Sequence, residues 1–221
     1  MDWQAFALSI KLAGVTLLLL LPLGLWLGRF LAYTQFAGKS AIEALVVLPL
    51  VLPPTVLGYY LLVNLGAGSA LGGWLDTHFQ LKLSFNFLGL VIASLIFNIP
   101  FLVQPVQRAF EAIPRQLGEA AALSGLSSWQ TFWRVELPLA WPGILSAMVL
   151  TFVHTLGEFG VVLMMGGSIP GETKTIAIAI YDRVQAFDLA GADRMSALLL
   201  MLSLLAVGAS FFASARLAVR R

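Results

Sequence analysis

Five long apolar stretches constrain this chain more than any other feature of its sequence. The first begins near Phe6 and the last ends near Leu217, and each approaches the roughly 20 residues that an α-helix needs to cross the core of a bilayer. Composition agrees, because 59% of the 221 residues are hydrophobic and 11% are charged, whereas a soluble domain carries about 25% charged residues. The sequence therefore predicts an all-α, polytopic transmembrane bundle that forms one domain over residues 1–221.

Prolines are concentrated in the second and third predicted spans. The five spans have the approximate bounds 6–28, 42–63, 87–106, 139–165 and 195–217. Pro49, Pro53 and Pro54 fall within the second, and Pro100 and Pro105 within the third. Interior prolines free backbone hydrogen-bonding groups, which a membrane tolerates only where protein or water satisfies them. We expect both helices to be kinked and buried against partners, either as structural kinks or as gating hinges.

Basic residues orient such a bundle, because cytoplasmic loops carry an excess of lysine and arginine. Placing the N-terminus outside and the C-terminus in the cytoplasm gives eight basic residues to the cytoplasm and five to the outside. The eight are Arg29, Lys39, Arg108, Arg115, Arg134, Arg216, Arg220 and Arg221, and the five are Lys11, Lys82, Lys174, Arg183 and Arg194. In this orientation residues 66–86 form an external loop. Residues 175–186 form a short helix or re-entrant segment near the outer mouth.

Several kinds of site are not expected in this chain. It has no cysteine, and its two histidines, His78 and His154, fall in different segments, so neither a disulfide nor a metal centre is predicted. The basic residues are dispersed, unlike a nucleic-acid footprint. Residues 38–40 (GKS) imitate the end of a phosphate-binding loop, but Tyr33 stands where that loop requires glycine. We expect no catalytic residue, and no cofactor or metal bound by the chain itself.

The segment between the third and fourth predicted spans, residues 111–138, carries the most local pattern. Pro114 suits a first helical turn, and Gly125 suits the left-handed end of that helix. Ser127 and Gln130 fit a capping box that begins a second short helix. The pattern predicts a helix–turn–helix elbow, after which Pro138 marks the start of the fourth span.

An aromatic patch lies on the second helix of this elbow, formed by Trp129, Phe132 and Trp133. Apolar patches on polar elements are typical of docking surfaces. A helix that lies on lipid headgroups has the same pattern. Both interpretations remain open from these residues alone.

The elbow also carries a spaced motif. Its residues are Glu119-Ala120-Ala121, Gly125 after three further residues, and Val135-Glu136-Leu137-Pro138 after nine more. This resembles the EAA loop of ABC importer permeases, E-A-A-x3-G-x9-I-x-L-P, with Val135 in place of isoleucine. The resemblance implies that the elbow seats in a groove of a cytoplasmic ATPase, with Glu119 fixing the elbow or pairing with a basic group. The residues that it assigns to coupling are Glu119, Ala120, Ala121, Gly125, Leu137 and Pro138.

Two further stretches, residues 48–62 and 156–181, resemble the permeases for molybdate within this family, as does the short chain. The resemblance implies a bacterial inner-membrane protein that translocates an oxyanion, molybdate in the first instance. It also implies a homodimer of permeases, two ATPase subunits that bind ATP and Mg, and a periplasmic oxyanion-binding protein. The alternatives are a sulfate, thiosulfate or tungstate permease of the same family, a stand-alone secondary transporter, and a non-conducting scaffold.

Five residues are candidates for the translocation path or gate: Pro53, Pro54, Thr151, Thr155 and Glu158. Intramembrane ionisable groups usually face a bundle interior or a water path, and hydroxyl residues serve both helix packing and a polar pore wall. A carboxylate binds an oxyanion poorly, so a structural role for Glu158, capping a helix or tying it to residues 166–173, is favoured.

Overall fold

The structure, a computed structural model, describes the backbone of residues 1–219 and the side chains through Phe212. Arg220, Arg221 and the side chain of Arg216, which contribute to the predicted orientation, lie outside the described residues. Within the described part the regular structure is helical. The helices are α1 (Trp3–Tyr33), α2 (Lys39–Val51), α3 (Pro54–Leu65), α4 (Ala70–Phe79), α5 (Phe87–Glu111), α6 (Arg115–Leu123), α7 (Ser128–Thr131), α8 (Leu137–Gly157), α9 (Gly160–Gly166), α10 (Ile176–Gln185) and α11 (Leu189–Val219).

Four helical segments of the described chain are long and apolar enough to cross a membrane. They are α1, α5, the continuous stretch Ser128–Gly157 and the stretch Leu189–Phe212 of α11. The pair α2 and α3 passes the same test together and gives a fifth candidate. The predicted all-α membrane bundle is therefore confirmed, with four candidate spans and a fifth where the bent pair counts as one.

The second span differs from the predicted single helix over 42–63. It is broken between α2 and α3, whose axes bend by 107°. Leu52 is extended there, with φ −73° and ψ 138°, because a residue before proline is disfavoured in the α conformation. Pro53 and Pro54 follow in succession, so the break replaces the expected kink, whereas α5 continues as one helix through Pro100 and Pro105.

The fourth span also differs from its predicted bounds of 139–165. It begins earlier, because a π-helical turn, Phe132–Glu136, joins α7 to α8 without interruption. Pro138 lies two residues after the π-helical turn, and the helix continues through it. The span ends earlier as well, at Gly157, and Glu158 is extended before the separate helix α9 begins.

The first span packs closely against α5 through two glycines four residues apart. A Cβ added at Gly24 would lie 2.6 Å from Leu102 Cδ2, and one at Gly28 would lie 2.8 Å from Val106 Cγ1. Small residues at this spacing let the backbones of membrane helices approach. The buried core beside this contact includes Leu102, Val106 and Phe110 of α5 and extends to α8.

The two ends of the bundle carry different structures. The elbow lies at the end where α1 and α5 finish. At the opposite end, the backbone N–H of Ile176 donates to Ser9 Oγ at 2.8 Å, which holds α10 against the first turns of α1. The short helix predicted within 175–186 is confirmed as α10, whereas the predicted loop 66–86 contains α4.

Candidate coupling elbow

The elbow consists of α6, a tight turn and α7. Gly125 has a φ of +77°, and the N–H of Leu126 donates to the carbonyl of Ala121 at 3.1 Å, which closes the end of α6. Ser127 Oγ accepts from the N–H of Gln130 at 3.3 Å, and Gln130 Oε1 accepts from the N–H of Ser127 at 2.9 Å. The left-handed glycine and the capping box are confirmed as the sequence predicts them.

The elbow exposes large apolar side chains among polar ones. Leu123 is 91% exposed, Trp129 69% and Trp133 51%, and the two tryptophan rings contact each other at 5.5 Å between centroids. Phe132 faces inward instead and packs near Phe110 of the core. The predicted aromatic patch is thus divided into an inner anchor and an exposed pair of tryptophans.

The motif residues divide between an exposed and a buried set. Glu119 and Ala120 are exposed, whereas Ala121 is buried. Glu119 lines a cleft of about 460 Å³ together with Arg115 and Glu136. Among the described residues, Glu119 forms no ion pair. The expected basic partner of Glu119 is therefore not observed among the described residues, and its exposed carboxylate is available to another chain.

The remaining motif residues lie where the elbow becomes the fourth span. Leu137 packs against the core that α1, α5 and α8 share. Pro138 lies one residue further on, at the surface of the first turn of α8. This part of the motif anchors the elbow to the bundle.

An ion pair that the sequence patterns do not predict ties the elbow to α1. Arg29 Nε donates to Glu136 Oε2 at 2.5 Å, and Arg29 Nη2 donates to Glu136 Oε1 at 3.1 Å. Glu136 is 8% exposed. The guanidinium also lies 5.6 Å from the ring centroid of Tyr33 and 5.5 Å from that of Phe132. An arginine at the end of an apolar span was the available signal, but Arg29 was interpreted only as a topology determinant, and position 136 is unspecified in the motif.

Three of the candidate path residues lie on or just after α8. Thr151 is fully buried and Thr155 is 2% exposed, and the hydroxyl of Thr155 donates to the carbonyl of Thr151 at 2.7 Å. The Thr151 hydroxyl has no hydrogen-bond partner among the described residues. Glu158 lies at the helix break, where its Oε1 accepts from the N–H of Val161 at 2.9 Å. Glu158 thus satisfies a first-turn N–H of α9, although the N-cap position of that helix is Phe159. Its expected structural role, and its alternative role in the path, stay predictions.

The other two candidates lie at the break of the second span. Pro53 and Pro54 are exposed on the surface of the chain. A Cβ added at Gly160 would lie 2.8 Å from Pro54 Cβ, so the break between α2 and α3 lies beside the break between α8 and α9. The structure thus brings Pro54 close to the segment that follows Glu158, and the N–H of Glu158 in turn donates to the carbonyl of Thr155 at 3.4 Å.

Comparison with known proteins gives consistent results over nearly the whole chain. The family described as binding-protein-dependent transport system inner membrane component matches residues 21–221. A molybdenum transport system permease protein of Azotobacter vinelandii is 45% identical over 95% of this chain and 93% of that protein. A sulfate transport system permease protein of Escherichia coli is 34% identical over 82% of this chain and 65% of that protein.

A solved structure has a similar fold. It is a bacterial ABC transporter involved in the import of the acidic polysaccharide alginate. The TM-score is 0.78 at 19% identity, over 96% of this chain and 78% of that one.

Proposed function

The chain belongs to the family of binding-protein-dependent transport system inner membrane components, and from that premise we propose that it is the membrane-spanning subunit of an ABC importer that carries molybdate into the cytoplasm. The observation that carries the transport mechanism is the elbow, a capped turn that exposes Leu123, Trp129 and Trp133 beside a continuous helix. The choice of molybdate is supported by the relative at 45% identity, compared with 34% for the sulfate permease.

Coupling follows from the continuity between the elbow and the fourth span. The helix Ser128–Gly157 runs without a break from the exposed Trp129 through the π-helical turn to the buried part of α8. A force on Trp129 and Trp133 therefore moves α8 without first deforming a loop. Movements of the ATPase subunits are transmitted in this way to the spans as rigid-body motion. Glu119, Ala120, Ala121, Gly125, Leu137 and Pro138 form or anchor the surface that receives this force.

The partners are a second copy of this chain, two cytoplasmic ATPase subunits and a periplasmic binding protein that delivers the anion. The ATPase subunits bind ATP and Mg, and this chain supplies no nucleotide site. Five spans are too few to enclose a gated anion path, so the path lies between the two copies. Pro53 and Pro54 are assigned to this path, and their exposure on one copy supports the assignment. Thr151, Thr155 and Glu158 hold the adjoining helices in place.

The orientation places the elbow in the cytoplasm, the N-terminus outside and the C-terminus inside. Lys39, Arg108, Arg115 and Arg134 then lie on the cytoplasmic side with the elbow, as the excess of basic residues in cytoplasmic loops requires. The opposite end, with α4 and α10, faces the binding protein.

Reconstitution in proteoliposomes tests this function. The ATPase and ATP are placed inside the vesicles, and the binding protein with molybdate is placed outside. Molybdate is expected to accumulate inside only when ATP is present. Uptake of molybdate is expected to exceed uptake of sulfate when the two anions compete. Vesicles without the ATPase are the control. Uptake in those vesicles would identify a secondary transporter instead, and preferential uptake of sulfate would overturn the substrate.

A further inference from the structure

We propose that Arg29 and Glu136 are positioning residues for coupling, whose ion pair fixes the angle at which the elbow presents its tryptophans. The proposal rests on the proposed function and deepens it. It concerns a position that the EAA pattern leaves unspecified, and a residue on α1 that is 107 positions away in the chain.

The ion pair locks the last residue of the π-helical turn. Glu136 ends the turn Phe132–Glu136, and its two carboxylate oxygens accept from two different nitrogens of Arg29, at 2.5 and 3.1 Å. A bidentate arginine–carboxylate pair fixes direction as well as distance. Because the Glu136 side chain is only 10% exposed and that of Arg29 is 34% exposed, water competes weakly for this contact.

The arginine itself is held by a rigid neighbourhood. Arg29 lies in the last turns of α1, one residue after Gly28. A Cβ added at Gly28 would lie 3.1 Å from the backbone nitrogen of Gln107 on α5. Four residues later, the hydroxyl of Tyr33 donates to the carbonyl of Phe110 at 3.3 Å. The end of α1 is therefore fixed to the end of α5, and Arg29 transfers that fixed position to Glu136.

The π-helical turn explains why the Arg29–Glu136 ion pair affects the direction of the elbow. A residue in a π-helical turn rotates the chain about the helix axis by less than the 100° of an α-helix. If the five residues converted to α geometry, the elbow that precedes them would therefore rotate by about a quarter turn relative to α8. Trp129 lies in α7, three residues before the turn, and Trp133 lies within it. Loss of the ion pair allows this conversion. The exposed tryptophans then no longer face the ATPase surface that moves them.

The test measures molybdate uptake and ATP hydrolysis together in proteoliposomes of the complete complex. Glu136→Gln and Arg29→Gln are expected to hydrolyse ATP while uptake per ATP falls at least about tenfold, since a hydrogen bond to a charged group in a half-buried site shifts an equilibrium by that factor. The exchanged chain, Arg29→Glu with Glu136→Arg, is expected to recover a large part of the lost uptake per ATP.

The matched control is Arg108→Gln. Arg108 forms an ion pair with Glu111 at 2.8 Å near the same end of the bundle, but within one helix and with its side chain 80% exposed. Its removal is expected to leave uptake per ATP unchanged. Unchanged uptake per ATP in both Arg29→Gln and Glu136→Gln overturns the proposal. An equal fall of molybdate uptake and ATP hydrolysis in these variants also overturns it, because that result indicates a merely structural contact.

A second experiment covers variants that do not assemble. The chain has no native cysteine, so Arg29→Cys with Glu136→Cys can be joined by a short, reducible bis-methanethiosulfonate linker in the assembled complex. The linked complex is expected to transport with high uptake per ATP and to lose this on reduction. A linked complex that transports no better than the reduced one overturns the proposal. Absence of ATP-dependent molybdate uptake in the unmodified complex would instead overturn the proposed function, and this inference with it.

Discussion

At the scale of single residues, Gly125 determines where the elbow turns. Its φ is +77°, and a Cβ added to it would meet no atom within 4 Å, so any effect of a side chain there arises from the backbone angle alone. The left-handed conformation costs a residue with a Cβ about 1 kcal/mol. Gly125→Ala is therefore expected to loosen the turn and lower ATP-driven uptake, with insertion into the membrane unaffected.

Gly118→Ala is the control for this prediction. Gly118 lies inside α6 and also has open space around an added Cβ, but its helical backbone favours alanine by about 1 kcal/mol. Uptake by this variant is expected to be normal. Equal uptake by the two variants would show that the left-handed turn does not matter for coupling.

Substitutions at Glu158 can show whether its side chain acts as a hydrogen-bond acceptor for α9 or as a charge in the translocation path. Its carboxylate accepts from the N–H of Val161 and so begins α9. Glu158→Ala is expected to lower the thermal stability of the purified chain, because loss of a helix cap costs about 1 kcal/mol. Glu158→Gln keeps an acceptor oxygen and is expected to recover most of that stability and of the uptake. Uptake abolished equally by both variants would assign the charge itself to transport.

Local residues could be predicted from sequence, but long-range partners could not. Gly125, Ser127 and Gln130 act through neighbours three or four positions away, so their spacing was sufficient. Arg29 and Glu136 meet only because α1 packs against the bundle. Neither residue type nor spacing encodes that meeting, and no prediction from the sequence could have paired them.

At the scale of helices, the contact between α1 and α5 depends on Gly24 and Gly28. A side chain at Gly28 would collide with Val106 and approach the backbone of Gln107. Gly28→Val is expected to destabilise the purified chain by about 1–3 kcal/mol, the usual cost of overpacking, and to lower its melting temperature in detergent. Gly14→Val on the same helix, where an added Cβ meets nothing within 4 Å, should change it far less. Equal melting temperatures would contradict the close contact.

The number of spans could be predicted from hydropathy, but their breaks were only partly predictable. Pro53 and Pro54 gave a clear signal of disruption in the second span, although its size, 107°, depends on how α3 packs against α9. The end of α8 at Gly157 had no proline to mark it. That break is stabilised by the cap from Glu158 and by the approach of Gly160 to Pro54, which are tertiary contacts that periodicity does not report.

At the scale of the whole molecule, the two ends of the bundle are held together in different ways. At the elbow end, a continuous helix and the Arg29–Glu136 pair connect the exposed tryptophans directly to the spans. At the opposite end, Lys174 pairs with Asp182 at 2.7 Å, and Ser168 donates to the same carboxylate at 3.0 Å, so the segment after α9 is tied to α10. The elbow end is thus joined to a span by a continuous helix, whereas the outer end is held by side-chain contacts between α10 and the segment after α9.

The assignment of the two ends to opposite sides of the membrane can be tested by labelling, because the chain has no native cysteine. Leu123 on the elbow is 91% exposed and Phe187 at the opposite end is 90% exposed, so in cells that produce this chain without its ATPase, cysteines at these positions are equally open to a reagent in water. In intact bacterial cells, a maleimide that crosses the outer but not the inner membrane should label Phe187→Cys. Leu123→Cys should be labelled only after the inner membrane is permeabilised. The reverse pattern would place the elbow outside, away from every cytoplasmic ATPase, and would contradict coupling through it.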